Sequence, residues 1–349
     1  NAYAYISIVE VLLKLGSVIM IQYCFADKLL AFGALNMGVT ILTALTYRFY
    51  CVRNFLNCRY VRYWSALLFK ELFSYIGWSL LGNLAWTFNS QGMNILINMF
   101  FGPVFNATRG IASSVESAVS SFLYNFITPA VPPIIKAYAA GDIDEMIRLS
   151  LRSSKLGFLL FMCLSLPLIS VMNPILKLWL IAPPPQSWTF CLLSLIYIQC
   201  NSLGGTLQNM VQATGKVKRY QLSNGIVKIM ALPIVYIIYK CGGDVVAYLW
   251  TLILTSIVGL MVQLDAVRRL IDSFKISDYL KKVIMPALTA YLLPFLLSFY
   301  FSCMEMESLK MMETVAIMVV ICLFSVWFIG FTGHERSWIL NIAKSKLYR

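Results

Sequence analysis

The stretch GWSLLGNLAWTFNSQGMNILINMFFGP, Gly77 to Pro103, has the length and apolar bulk of a membrane-spanning helix and yet is studded with amides. Hydrocarbon offers an amide no hydrogen-bond partner, so each one must find a neighbouring helix, water or a ligand. At about 100° per residue, Asn83, Thr87, Ser90, Gln91, Asn94 and Asn98 fall within an arc of about 100°, and Asn89 falls outside it. Two readings of this stripe stand side by side. Amides often join helices inside a bundle, but a stripe that runs along most of a span also suits the wall of a polar cavity.

Working outward, the whole chain has membrane-protein composition. Of its 349 residues, 60% are hydrophobic and only 12% charged, and mean hydropathy is +0.76. A soluble domain carries about a quarter charged residues. Apolar runs of membrane-crossing length recur, and ten spans are expected, near 3–24, 29–50, 73–101, 104–130, 150–172, 187–210, 220–239, 245–264, 283–301 and 314–333. The fold class expected is therefore all-α, a polytopic membrane protein.

The formal charge of +13 raises the question of nucleic acid. Its distribution answers it. Twenty-two of the 28 Lys and Arg residues fall in alternate connections and the tail, around 48–70, 136–155, 216–228, 268–282 and beyond 336. Such alternation is the positive-inside pattern, a topology signal that calls for no nucleic acid. The nine cysteines are scattered without a CxxC pair or a nearby His cluster, so neither a disulfide framework nor a zinc site is expected. No metal and no cofactor is expected. A membrane enzyme fits poorly too, because the one histidine is His334 in the tail, and the inner acidic group Asp142, Asp144 and Glu145 has capping-box spacing.

The next span, FNATRGIASSVESAVSSFLYNF (105–126), supplies a second polar face. Asn106, Arg109, Ser113, Glu116, Ser117, Ser120 and Tyr124 share an arc of about 100°. Charges inside a span usually face a bundle interior or an aqueous path. Arg109 and Glu116 lie about 10 Å apart along the helix, too far for direct pairing. The two faces together favour a polar cavity. In the first span Glu10 and Lys14 are one turn apart, as an interfacial ion pair or as an ion-coupling site. Segments 8–27 and 226–244 form a faint repeat, both opening Ile-Val and ending Cys-x-x-Asp, and Pro286 and Pro294 should bend the ninth span.

The segment ILINMFFGPVFNATRGIASSVESAVSSFLYNFITPAVPPIIKAYAAGD (95–142), with YISIVEVLLKLG (5–16), ILKLWL (175–180) and QATGKVKRYQ (212–221), resembles polysaccharide-repeat-unit flippases of the multidrug/oligosaccharidyl-lipid/polysaccharide (MOP) superfamily. The resemblance implies a two-lobe transporter in which the ten spans are helices five to fourteen and the first four are missing, in keeping with a chain that starts at Asn1. Residues 1–50 would be the last two helices of the N-terminal lobe, 51–72 a basic cytoplasmic linker, 73–264 a six-helix C-terminal lobe, and 265–349 a final pair with a cytoplasmic tail. It also implies export of undecaprenyl-pyrophosphate-linked oligosaccharide across a bacterial cytoplasmic membrane by alternating access, for O-antigen, capsule or exopolysaccharide. The implied partners are that lipid-linked sugar, the bilayer, H+ or Na+ for coupling, and a polysaccharide polymerase and glycosyltransferases. On this reading Asn83, Thr87, Gln91, Asn94, Asn98, Arg109, Ser113, Ser117 and Ser120 line the substrate cavity, and Glu10, Lys14 and Glu116 are candidates for ion coupling. The alternatives are a multidrug or other lipid-headgroup exporter of the same superfamily, or a scaffolding subunit of a polymer assembly.

Overall fold

The computed structural model describes residues 2–24, 28–55, 64–180, 182–304, 308–333 and 335–337. Arg59, Arg62, Asp27, Glu305, Glu307, His334 and the tail bases Lys344, Lys346 and Arg349 lie outside the described residues. The described chain is helical, with no strand, and eight of its helical segments are long and apolar enough to cross a membrane. Its surface confirms the class. Leu178, Leu292 and Phe324 are 81%, 61% and 62% exposed, among dozens of large apolar side chains that water would not tolerate together. This is an all-α, multi-pass membrane protein.

Two compact units make up the chain, Asn1–Phe69 and Lys70–Arg349. The first is a hairpin of α1 (Ala2–Cys24) and α2 (Lys28–Asn54). It is tied by Ser7 Oγ and Tyr47 OH at 3.2 Å and by the stacked Tyr3 and Tyr47 rings.

The second unit holds the rest. α3 (Ala66–Phe101) begins just before it and is 36 residues long, yet it is not among the eight apolar segments because the amides dilute its hydropathy. Gly102, at φ +83°, turns the chain, and Pro103 opens α4 (Pro103–Ile127) in the position where a missing N–H costs nothing. A short 3-10 turn leads into α5 (Val131–Ala139). Gly141 adopts left-handed φ of +78°, and Asp142 caps α6 (Ile143–Ser170) by accepting the Glu145 N–H at 2.9 Å. α7 (Met172–Trp179) ends ahead of Pro183–Pro185, and α8 (Ser187–Ser202) starts beyond them.

The span expected at 187–210 is broken. α8 stops, Leu203 and Gly204 turn, and α9 (Gly205–Thr214) continues. A carbonyl freed inside a membrane needs a donor. Leu203 receives two, the Ser154 hydroxyl at 2.8 Å and the Tyr279 hydroxyl at 2.6 Å. Gly204 leaves space for Gln263, whose Oε1 would collide with an added Cβ. α10 (Lys218–Lys240) and α11 (Ala247–Leu270) then form a second hairpin.

A short α12 (Ile276–Tyr279) runs through a π turn, Leu280–Ile284, into α13 (Met285–Ser302). The π turn sits directly ahead of Pro286, where a regular ladder would lose a donor. α14 (Ser308–Ser325) ends in another π turn, Val326–Gly330. α13 and α14 both pack on α6. Ser298 donates to the Leu166 carbonyl at 2.7 Å and Ser325 to the Ala290 carbonyl at 2.6 Å, the kind of hydroxyl contact that joins helices where lipid removes the hydrophobic drive.

The second unit also closes on its own tail. Lys155 of α6, with its side chain 4% exposed, donates to Glu335 Oε2 at 2.5 Å. The same oxygen accepts the Thr332 N–H and hydroxyl. Burial pushes the Glu335 carboxyl up, but the Lys155 ammonium and the Thr332 donors outweigh it and hold the group below its ordinary value. A depressed carboxylate stabilises the fold above its unfolded pKa. The contribution is therefore full near neutrality and is lost as pH falls through the lowered value. Lys155→Met leaves Glu335 without its cation and should cost about 3 kcal/mol, at the low end of the buried range because Glu335 keeps some solvent. The Lys155→Met/Glu335→Leu pair should cost less than the single change, as a melting comparison in detergent at pH 7 would show.

Candidate functional site

Five helices of the second unit, α3, α4, α8, α10 and α11, surround a polar cavity of about 90 Å³. The volume equals that of about three waters. Amides, hydroxyls and charges share its wall with Trp86, Leu249 and Leu252, although four of the five surrounding helices are long and apolar enough to cross a membrane.

α4 contributes the charged elements. Arg109 is 9% exposed and donates to Asn94 Oδ1 of α3. Its guanidinium carbon stands 5.7 Å from the centre of the Tyr248 ring of α11, within cation–π range. Asn94 in turn donates to Gln91 Oε1 at 3.2 Å. The two polar faces legible in the sequence thus meet at one contact, Arg109 on Asn94. Glu116 lines the same cavity and makes no ion pair with Arg109 among the described contacts. Ser113 lies between them on the cavity wall.

α10 brings a third charge, Lys228, and with it Asn224. Asn224 Oδ1 accepts from Gln263 Nε2 of α11 at 3.1 Å. α8 adds Ser194, Tyr197 and Asn201, and α11 adds Thr255 and Ser256. None of these was a sequence candidate. Lys228 counted with the inner-loop bases, but α10 begins at Lys218, which places it about 15 Å into the helix.

The other candidates are spread more widely. Asn83, Thr87, Gln91 and Asn98 are exposed on α3 and do not line this cavity. Asn89, the amide outside the stripe, is buried at 8% and donates to the Lys228 carbonyl. This carbonyl is next to that of Ile229, whose helical donor Pro233 cannot supply. Asn89 is therefore the helix-joining amide, and α3 and α10 come close along small residues, with Ala85 facing Gly225. Ser117 is exposed, while Ser120 Oγ and Asn106 Oδ1 are buried with no partner among the described residues. Glu10 and Lys14 belong to the first unit, where they pair at 2.6 Å, one turn apart on α1.

The electrostatics are lopsided. Two cations, Arg109 and Lys228, share the cavity with one carboxylate, Glu116, in surroundings where charges are held only by ion pairing, hydrogen bonding or water. Such a site attracts an anion, and its hydroxyls and amides can replace the hydration shell of a polar group. No family model, no curated protein and no solved structure matches the chain.

Proposed function

We propose that this protein is a flippase that carries undecaprenyl-pyrophosphate-linked oligosaccharide repeat units across a bacterial cytoplasmic membrane, with its C-terminus on the cytoplasmic side. The observation that carries the reading is the polar cavity among membrane-crossing helices, with Arg109 hydrogen-bonded to Asn94 and facing Glu116 and Lys228. A sugar pyrophosphate cannot shed its water into hydrocarbon. Amides and hydroxyls substitute for that water, and a guanidinium binds phosphate oxygens through its planar fork. The sequence resemblance to repeat-unit flippases points the same way, and it supplies the polyprenyl carrier that the cavity itself does not specify.

A space of about 90 Å³ holds water or a small ion and excludes an oligosaccharide. On the flippase reading the helices around it part to admit the headgroup, as alternating access requires. The exposed amides Asn83, Gln91 and Asn98 and the Thr87 hydroxyl then form the wall along which the sugar moves. Glu116 is the cavity's one acid and so the group placed to take up a coupling H+ or Na+.

The competing reading is a multidrug exporter. Lipophilic cations call for an acidic, aromatic site; this cavity has the rings, Trp86, Tyr197 and Tyr248, but carries two bases to one acid. Proteoliposomes distinguish the two. With the protein reconstituted, a lipid-linked oligosaccharide should become accessible on the far leaflet and a lipophilic dye cation should not accumulate. Movement of the dye alone would favour the exporter.

A further inference from the structure

A second cavity, of about 530 Å³, opens at the N-terminal end of α6 and shares no lining residue with the Arg109 cavity. It lies between the first turns of α6, the α12–α13 junction and the segment after α14, with Thr332 on its wall. Its size is that of a small-molecule site.

Charge sets it apart. Five bases line it, Arg148, Arg152, Lys155, Lys281 and Lys282. Some of that charge is neutralised within the fold. Lys155 is held by Glu335 at 2.5 Å and Lys282 by Asp278 at 2.9 Å, while Arg148 pairs with Glu145. Arg152 and Lys281 have no hydrogen-bond or ion-pair partner among the described residues, and both are exposed at the cavity. The remaining acid, Asp144, lies in the first turn of α6 beside the Asp142 cap, where the helix dipole favours a carboxylate. Two unsatisfied cations thus face one pocket whose floor is fixed by the Lys155–Glu335 pair. The segments that frame it are ends of membrane-crossing helices, which puts the pocket at the depth of lipid headgroups. Basic pockets between membrane helices bind phosphate headgroups by this chemistry.

We infer that this cavity is a binding site for a phosphate-bearing anion, gripped by Arg152 and Lys281. Arg152 offers a fork to two phosphate oxygens and Lys281 a mobile point charge. The ligand is the headgroup of an anionic phospholipid or a soluble phosphate anion. The site is separate from the Arg109 cavity and does not depend on what that cavity transports.

The test uses the whole chain in lipid nanodiscs and reads its melting temperature. For the lipid source, phosphatidylglycerol replaces part of the phosphatidylcholine. For the soluble source, inorganic pyrophosphate is titrated into phosphatidylcholine discs. Wild type should gain a few degrees in one arm, since a ligand that binds the folded state raises its stability, and the responding arm identifies the source. Arg152→Gln/Lys281→Gln should lose most of that gain. Lys216→Gln/Arg219→Gln removes the same charge from exposed residues outside the pocket and should keep it. The inference is overturned if wild type gains nothing in either arm, a result that needs no variant, or if both double variants lose or keep the gain equally.

Discussion

If the protein carries a lipid-linked sugar as proposed, Arg109→Gln should cut its transport by at least about tenfold, and Arg109→Lys should retain a measurable part of it. The size follows from what is removed. A hydrogen bond to a charged group is worth about 1.5–3 kcal/mol, which corresponds to roughly 10- to 150-fold in binding. Arg109 is 9% exposed, with one guanidinium nitrogen donating to Asn94 and its face against Tyr248. The guanidinium is thus oriented before any anion arrives, and little ordering is left to do on binding. Lysine keeps the charge and loses the fork and the ring contact. Initial rates of flipping in proteoliposomes measure the difference, with protein recovery in the membrane measured in parallel. Equal rates for wild type and Arg109→Gln would remove Arg109 from the substrate path.

On the same proposal Glu116→Gln should have the second large effect, on the energy source rather than on the sugar. At a separation of about 10 Å and an effective dielectric of about 20, Glu116 offsets the field at Arg109 by about 1.5–2 kcal/mol. Losing the carboxylate therefore does not weaken an anion site and, if anything, strengthens it. What disappears is the one acid that can take up a cation between Arg109 and Lys228. The variant should flip sugar down a concentration gradient at close to the wild-type rate, yet gain nothing from an imposed proton or sodium gradient. A Gln variant that still accelerates severalfold in the gradient would place the coupling elsewhere.

Much of the architecture could be read from the sequence because membrane helices declare themselves locally. Apolar length, the stop at Pro183–Pro185 and the Asp142 cap are properties of neighbouring residues, and the helices form where these signals put them. The break at Leu203–Gly204 was less legible, since the donors that make it tolerable, Ser154 and Tyr279, come from far along the chain. The site divides in the same way. Helical periodicity found the face carrying Arg109, Ser113 and Glu116. It could not say which neighbour each amide meets, so Asn89 looked isolated although it joins α3 to α10, and four residues of the stripe are on the exposed side. Lys228 was hidden by its neighbours in sequence, Lys216, Lys218 and Arg219, which made it one more base of an inner loop. Glu335 sits in a tail that reads as solvated, and its partner Lys155 is 180 residues away.

The central claim is that the cavity around Arg109 lies on the path of an anionic, sugar-bearing lipid. Its most direct measurement is headgroup accessibility of a lipid-linked oligosaccharide in vesicles, with and without an imposed ion gradient, for wild type, Arg109→Gln and Glu116→Gln side by side. Three different behaviours are expected: gradient-stimulated flipping, flipping reduced about tenfold or more, and flipping that ignores the gradient. Equal, gradient-independent accessibility in all three proteins would contradict it.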